Sequence, residues 1–346
     1  MSEVERHRIT AAGVVLDFEV DCGFLCDLAI EDNGRAISPM HRVPWWGSSP
    51  EGEMLPHLKR MQGDFFCAPF ADGGGTAPIF HGWPANGRWR VAERAAGSAS
   101  LTAELTHTVQ GARVAKTVTL RDAHPFVYQS HLFEGGRGTI SAANHAMVSL
   151  PGGGVLSFSP KAEYRTPPSA PEPDPARGRS ALAYPATSSD PRAFPLESGE
   201  TVDLTHYPFS PRHEEFVVGI EADVSPLGWT AVVRRGQGDV YLSLRDPRQL
   251  KMTMLWQSDG GRDYPPWSGR HRACLGVEEG YAPHMLALPG GLDLDGGLDV
   301  RNAIGAIAWP SESRVISVEA DRNSLTVTGE DGAQRTVPFA LAHILR

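Results

Sequence analysis

Between residues 88 and 147, apolar and polar positions alternate in short runs. Leu101-Thr102-Ala103-Glu104-Leu105-Thr106 and Ala115-Lys116-Thr117-Val118-Thr119-Leu120 each put one apolar and one polar face on an extended chain. That two-residue period is the mark of a half-buried β-strand. Strands are predicted over 88–93, 100–108, 113–120, 126–133 and 138–147, separated by breaks rich in Gly, Asp, Asn or Pro, as in a meander. Further strands are predicted over 215–222, 229–234, 240–245, 249–256 and 272–277. A closing meander follows over 315–319, 324–328 and 335–339, with turns at Asp321-Arg322-Asn323 and Gly329-Glu330-Asp331-Gly332. Neither a long amphipathic helix nor a fixed repeat interrupts this pattern. It reads as an all-β protein built on a large antiparallel β-sandwich.

One stretch breaks the pattern. Residues 164–200 contain Pro167, Pro168, Pro171, Pro173, Pro175, Pro185, Pro191 and Pro195, which exclude a continuous strand or helix. Tyr164, Tyr184 and Phe194 favour a packed flap over an interdomain linker, because strand patterning of the same kind resumes beyond it. The chain is therefore read as one domain over 1–346, with a Pro-rich excursion at 164–200 and a C-terminal strand extension from about 290.

Composition agrees with a turn-rich β protein: 346 residues, 41% hydrophobic, with 37 Gly and 28 Pro. A net charge of -9 without a basic block argues against a nucleic-acid partner. The N-terminal Met1-Ser2-Glu3-Val4-Glu5-Arg6 has no basic start followed by an apolar run, and no stretch is apolar enough to span a bilayer. A cytoplasmic protein with no membrane partner is expected. Cys22, Cys26, Cys67 and Cys274 form no Cys-x-x-Cys pair and have no flanking histidine spacing that suggests zinc, so buried free thiols and no metal site are expected.

Three clusters carry candidate chemistry. Gly63-Asp64-Phe65-Phe66-Cys67-Ala68-Pro69-Phe70, followed by His81-Gly82-Trp83-Pro84-Ala85-Asn86-Gly87-Arg88-Trp89, concentrates aromatic rings in a loop context beside His, Asp and Arg. Carbohydrate sites use such residues, since sugar faces stack on rings while hydroxyls need donors and acceptors. Rings that merely cap a sandwich are the bland alternative. The second cluster, Ser141-Ala142-Ala143-Asn144-His145-Ala146-Met147, ends a predicted strand in a histidine that taken alone is more often structural. In the third, Cys274-Leu275-Gly276-Val277-Glu278-Glu279-Gly280-Tyr281, an apolar strand ends in two carboxylates, of which at most one can enter a given cleft.

In order and content these clusters resemble the aldose 1-epimerase (galactose mutarotase-like) family. The 63–70 segment is similar to the family's glycine-initiated Cys-Phe-Pro stretch, and His81-Gly82-Trp83 with Trp89 to its His-Gly-aromatic segment ending in tryptophan. His145 falls where the family has its catalytic histidine, and Glu278 is similar to its catalytic glutamate. The sequence departs from the family at Ala85, where several members carry arginine, with Arg88 three residues on, and at Glu279, which replaces a proline.

The resemblance implies interconversion of the anomers of a free aldose, with Glu278 as general base on the anomeric hydroxyl and His145 as general acid at the ring oxygen. No cofactor is implied. His81, Asp64, Arg60, Phe70, Trp83 and Glu279 are candidate substrate contacts, and a small-molecule sugar is the expected partner. Two other readings fit the same fold. One is a sugar-binding protein without turnover. The other is a glycoside hydrolase or lyase, for which Asp64 with Glu278 could form the carboxylate pair.

Overall fold

The computed structural model describes residues 4–48, 53–93 and 99–345, so the first three residues of the N-terminal stretch lie outside it. Two large sheets dominate. The first has eleven strands, with Leu25–Asp32, Asp64–Cys67, Ala142–Ser149, Cys274–Tyr281, Met252–Ser258 and Glu214–Glu221 running side by side through its middle. The second has nine, with Gly228–Arg234, Asp239–Arg245, Leu298–Ala308 and Phe126–Gly135 at its centre. Alternation supplies the core between them. Ile30, Phe66, Ala146, Val148, Val217, Leu275 and Val277 of the first sheet face Val114, Val118, Phe133, Val232, Tyr241 and Ile304 of the second. This is the expected large antiparallel β-sandwich.

The residues between 89 and 135 form the predicted meander, each strand beside the next in the nine-stranded sheet. The strand expected over 138–147 does not continue it. Ala142–Ser149 instead crosses to the eleven-stranded sheet and pairs with strands from both earlier and later in the chain.

The C-terminal part also differs from its expected outline. Leu298–Ala308 sits in the nine-stranded sheet between Asp239–Arg245 and Phe126–Gly135, so the chain after residue 290 begins inside the fold. The peripheral addition starts at Val315–Ala320, which with Ser324–Gly329 and Gln334–Pro338 makes a separate three-stranded sheet. Its Val318, Leu325, Val327 and Val337, with Phe339 directly after its last strand, cover Phe126, Trp229, Val233, Leu242, Leu244 and Ile307 on the outer face of the nine-stranded sheet. Leu298–Ala308 was not among the predicted strands, because Asn302 and Gly305 break the alternation that Leu298-Asp299-Val300-Arg301 begins.

The Pro-rich excursion packs rather than floats. Phe194, Leu182 and Tyr164 join the core between the sheets, and Tyr184 Oη donates to Glu215 Oε2 at 2.9 Å. No helix among the described residues is long and apolar enough to cross a membrane.

Covering the outer face of the nine-stranded sheet has a measurable consequence. Phe339 is fully buried and meets Phe126 edge-on at 5.1 Å between centroids. Phe339→Ala is expected to lower the stability measured by urea unfolding by about 3–5 kcal/mol, the range for truncating a buried phenylalanine. A loss under about 1 kcal/mol would show that the added sheet does not stabilise the sandwich.

Candidate functional site

The site begins with a register. In the antiparallel pairing of Ala142–Ser149 with Cys274–Tyr281, His145 stands opposite Glu278. In the pairing with Asp64–Cys67, it stands opposite Phe65. Side chains alternate along a strand, so Ala143, His145, Met147, Cys274 and Glu278 emerge on the outer face of the eleven-stranded sheet, away from the second sheet. His145 Nε2 lies 3.2 Å from Glu278 Oε1. Gly276 keeps the space clear, since a Cβ there would come within 2.6 Å of Glu278 Oε1 and 3.0 Å of Trp256 Cβ.

Aromatic rings frame the pair. Phe65 stacks on His145 with centroids 4.4 Å apart, Trp256 meets it edge-on at 5.6 Å, and His81 stands perpendicular to it at 5.4 Å. Phe70 in turn packs 5.2 Å from His81. His145 and Glu278 are only 4% and 1% exposed, beneath an apolar layer that includes Met61, Phe70 and Trp267.

His81 is held in an unusual conformation. It adopts a left-handed φ of 66° just before the short helix Gly82–Asn86, a region that residues other than glycine seldom occupy outside tightly determined sites. Gly82 follows at φ 70°, pressed so close to the chain that a Cβ would lie 2.0 Å from the Ala68 carbonyl oxygen. Asn86 ties the segment down. Its Nδ2 donates to the carbonyls of Phe80 and Gly82, so its Oδ1 accepts from His57 Nδ1 at 2.8 Å. The Ala71 N–H donates to His81 Nδ1 at 3.2 Å, which leaves the proton of a neutral His81 on Nε2.

Burial dominates the electrostatics. It lowers His145 to about 3, with a smaller contribution from His57, and it holds Glu278 well above the ordinary carboxylate range. Desolvation likewise lowers His57 to about 4 and keeps His81 well below the usual histidine value. His145 Nδ1 and Glu278 Oε2 have no hydrogen-bond partner, so the pair presents two polar atoms to whatever enters from the outer side.

The structure brings His145, Glu278, His81 and Phe70 together and separates the other candidates from them. Asp64 precedes Phe65 on its strand and therefore faces the opposite way. It is fully buried between the sheets, accepting from Gln129 Nε2 and lying in the field of Lys116. It cannot contact a sugar beside His145, nor form a hydrolase pair with Glu278. Glu279 also points inward, accepting from Thr230 Oγ1 at 2.6 Å and Thr253 Oγ1 at 2.9 Å and pairing with Arg245 at 2.7 Å. Arg60 is engaged with Glu19 at 3.3 Å and Asp21 at 3.4 Å. Trp83 lies flat on His107 at 4.1 Å and packs against the core between the sheets.

Phe65, Trp256 and His57 line the site without having been singled out. Phe65 was visible as part of the 63–70 segment. Trp256 and His57 gave no signal, because pairing register and loop path bring them in.

No protein-family model matches the sequence, and no curated protein matches it. Solved structures do match. A protein from Escherichia coli K12, provisionally named an aldose 1-epimerase, superimposes with a TM-score of 0.59 at 12% identity over 88% of this chain and 99% of that one. A galactose mutarotase-related enzyme from Lactobacillus acidophilus gives 0.53 at 10% identity over 90% of this chain and 100% of that one. A second provisionally named aldose 1-epimerase, from Klebsiella pneumoniae, gives 0.51 at 14% identity over 86% and 78%. At such identities the likeness is one of fold, and this chain has the galactose mutarotase-like sandwich that these structures share.

Proposed function

We propose that the protein is an aldose 1-epimerase-like isomerase that interconverts the anomers of a free sugar at His145 and Glu278. The observation that carries this reading is the 3.2 Å approach of His145 Nε2 to Glu278 Oε1 on the outer face, with one polar atom of each left unpartnered. Ring opening needs a base at the anomeric hydroxyl and an acid at the ring oxygen, two neighbouring atoms on one edge of a pyranose. Two side chains opposite each other on adjacent strands can address both atoms from one side.

The pair needs one proton between its members. As general base Glu278 is a carboxylate and His145 an imidazolium, whereas burial favours a protonated Glu278 and a neutral His145. Both arrangements hold the same single proton and supply one acid and one base. A bound sugar, whose hydroxyls solvate charge, brings the ionic form within reach. Rotation about the first carbon–carbon bond of the open aldehyde, then reversal of the two transfers, yields the other anomer. His81 would donate from Nε2 to a hydroxyl, with Trp256 and Phe70 as stacking surfaces.

The burial that favours the uncharged form of the pair supports a second reading, a sugar-binding protein without turnover, since a neutral histidine and a protonated glutamate can hydrogen-bond a sugar without exchanging protons with it.

Polarimetry of freshly dissolved α-glucose and α-galactose separates the two. Wild type is expected to accelerate mutarotation, and His145→Ala or Glu278→Ala to lower the rate by about 10²- to 10⁴-fold. Sugar binding without acceleration would establish the second reading. Glu279→Ala should act on stability instead, costing about 3–5 kcal/mol in urea unfolding by leaving the buried cations of Arg245 and Lys161 to share the single carboxylate of Glu221. A Glu279→Ala variant of wild-type stability would contradict its inward role.

The protonation state has its own test. In the free protein, the His145 ring signals in NMR are expected to stay those of a neutral imidazole from about pH 8 to about pH 5, across the value near 6.5 where an exposed histidine titrates. Unfolding therefore takes up a proton at this residue between the ordinary value and about 3, and its share of stability is lost as pH falls through that window. Glu278 acts with the opposite sign, its share being lost as pH rises above the ordinary 4.5. A His145 midpoint near 6.5 would contradict the desolvated site.

A further inference from the structure

On the same outer face, toward the start of the Glu278 strand, His41, His271 and Cys274 bring one ligand atom each within 4.8 Å of one another. They come from separate places: His41 from the connection ahead of the Asp64 strand, His271 from the turn before Cys274, and Cys274 from the strand itself. His271 and Cys274 also stand in a His-x-x-Cys spacing, which corrects the expectation that no histidine flanks a cysteine at metal-ligand spacing.

The second observation is how His271 is oriented. Ser258 Oγ donates its one proton to Glu214 Oε2 at 2.9 Å, while Trp256 Nε1 donates to Glu214 Oε1 at 2.6 Å. Ser258 Oγ also meets His271 Nδ1 at 2.6 Å, so Nδ1 must be the protonated nitrogen there. The other nitrogen, Nε2, is thereby left as a bare lone pair. His271 is only 1% exposed, yet its Nε2 has no partner, and neither has Nε2 of half-buried His41. A histidine with one nitrogen held by a hydrogen-bonded hydroxyl and carboxylate and the other without a partner, clustered with a second histidine and a thiol, has the arrangement of a metal ligand.

We propose that His41, His271 and Cys274 bind a borderline-soft divalent transition-metal ion of the zinc class. Zinc distances of about 2.0–2.1 Å to nitrogen and 2.3 Å to sulfur place tetrahedral ligand atoms roughly 3.4–3.6 Å apart. From separations of up to 4.8 Å, the set closes on an ion by shifts of about 1 Å. The two histidines are already neutral, since burial lowers His41 to about 4 and His271 well below its usual value. Burial, with Glu214 and Glu278 nearby, keeps Cys274 a thiol. Binding therefore forms a metal–sulfur bond and releases the thiol proton to solvent. Three protein ligands leave one tetrahedral position for water. Trp256, stacked on His271 at 5.5 Å and edge-on to His145 at 5.6 Å, separates this site from the Glu278 pair.

The test is a cobalt titration of the full-length protein after chelator treatment, followed by the thiolate-to-cobalt charge-transfer absorption. The expected result is one ion per chain with that band present. Cys274→Ser should abolish the band, and Ser258→Ala should weaken cobalt binding by about ten- to a hundredfold through the loss of His271 orientation. His41→Ala, checked for folding by circular dichroism, should weaken it at least as much and remains decisive if Cys274→Ser fails to fold. Absence of stoichiometric cobalt binding in wild type, an undiminished band in Cys274→Ser, or unchanged affinity in His41→Ala would each overturn the proposal.

Discussion

Everything at the candidate site follows from one pairing, His145 opposite Glu278 in the middle of an eleven-stranded sheet. Because side chains alternate, a slip of one residue would send the histidine into the core and bring Asn144 out. The inner face guards against that slip. Glu279, adjacent to Glu278, is anchored by Arg245, Thr230 and Thr253, while Arg245 and Lys161 share Glu221. Breaking a buried ion pair by removing one partner is costly, so the inner cluster penalises any register that would remove the outer pair. The two adjacent carboxylates thus sit in opposite settings, Glu279 in a buried ion-pair cluster between the sheets and Glu278 beside His145 on the covered outer face.

The same sheet explains why the site is dry. Its outer face carries Phe65, Met147, Phe216, Met254 and Trp256, and a layer of loop side chains covers them. In such a setting interactions between charges and dipoles are stronger than in water, and an uncharged acid beside an uncharged base is the stable resting form.

The fold was legible where strands keep one wet face. Ser100–Leu105, Ala112–Thr119 and the C-terminal meander follow the alternation read from the sequence. Leu298–Ala308 was not, because the alternation of Leu298-Asp299-Val300-Arg301 is broken at Asn302 and Gly305. Of the site, the His145–Glu278 pair came from a resemblance in motif order. The sequence showed that Glu278 and Glu279 point opposite ways but not which one points out, and the same ambiguity put Asp64 among the sugar contacts. Those choices depend on pairing partners far away in the chain, as do the arrivals of Trp256 beside His145 and of His41 beside His271.

The most direct measurement is a crystal structure of the protein with a 1-deoxy-aldose, which keeps the ring and hydroxyls of a sugar but lacks the anomeric hydroxyl and so cannot be turned over. The account predicts the ring oxygen within hydrogen-bond reach, about 2.6–3.2 Å, of His145 or Glu278, with the ring against Trp256 or Phe70. A sugar bound elsewhere on the molecule, with His145 and Glu278 still sealed beneath their apolar cover, would contradict it.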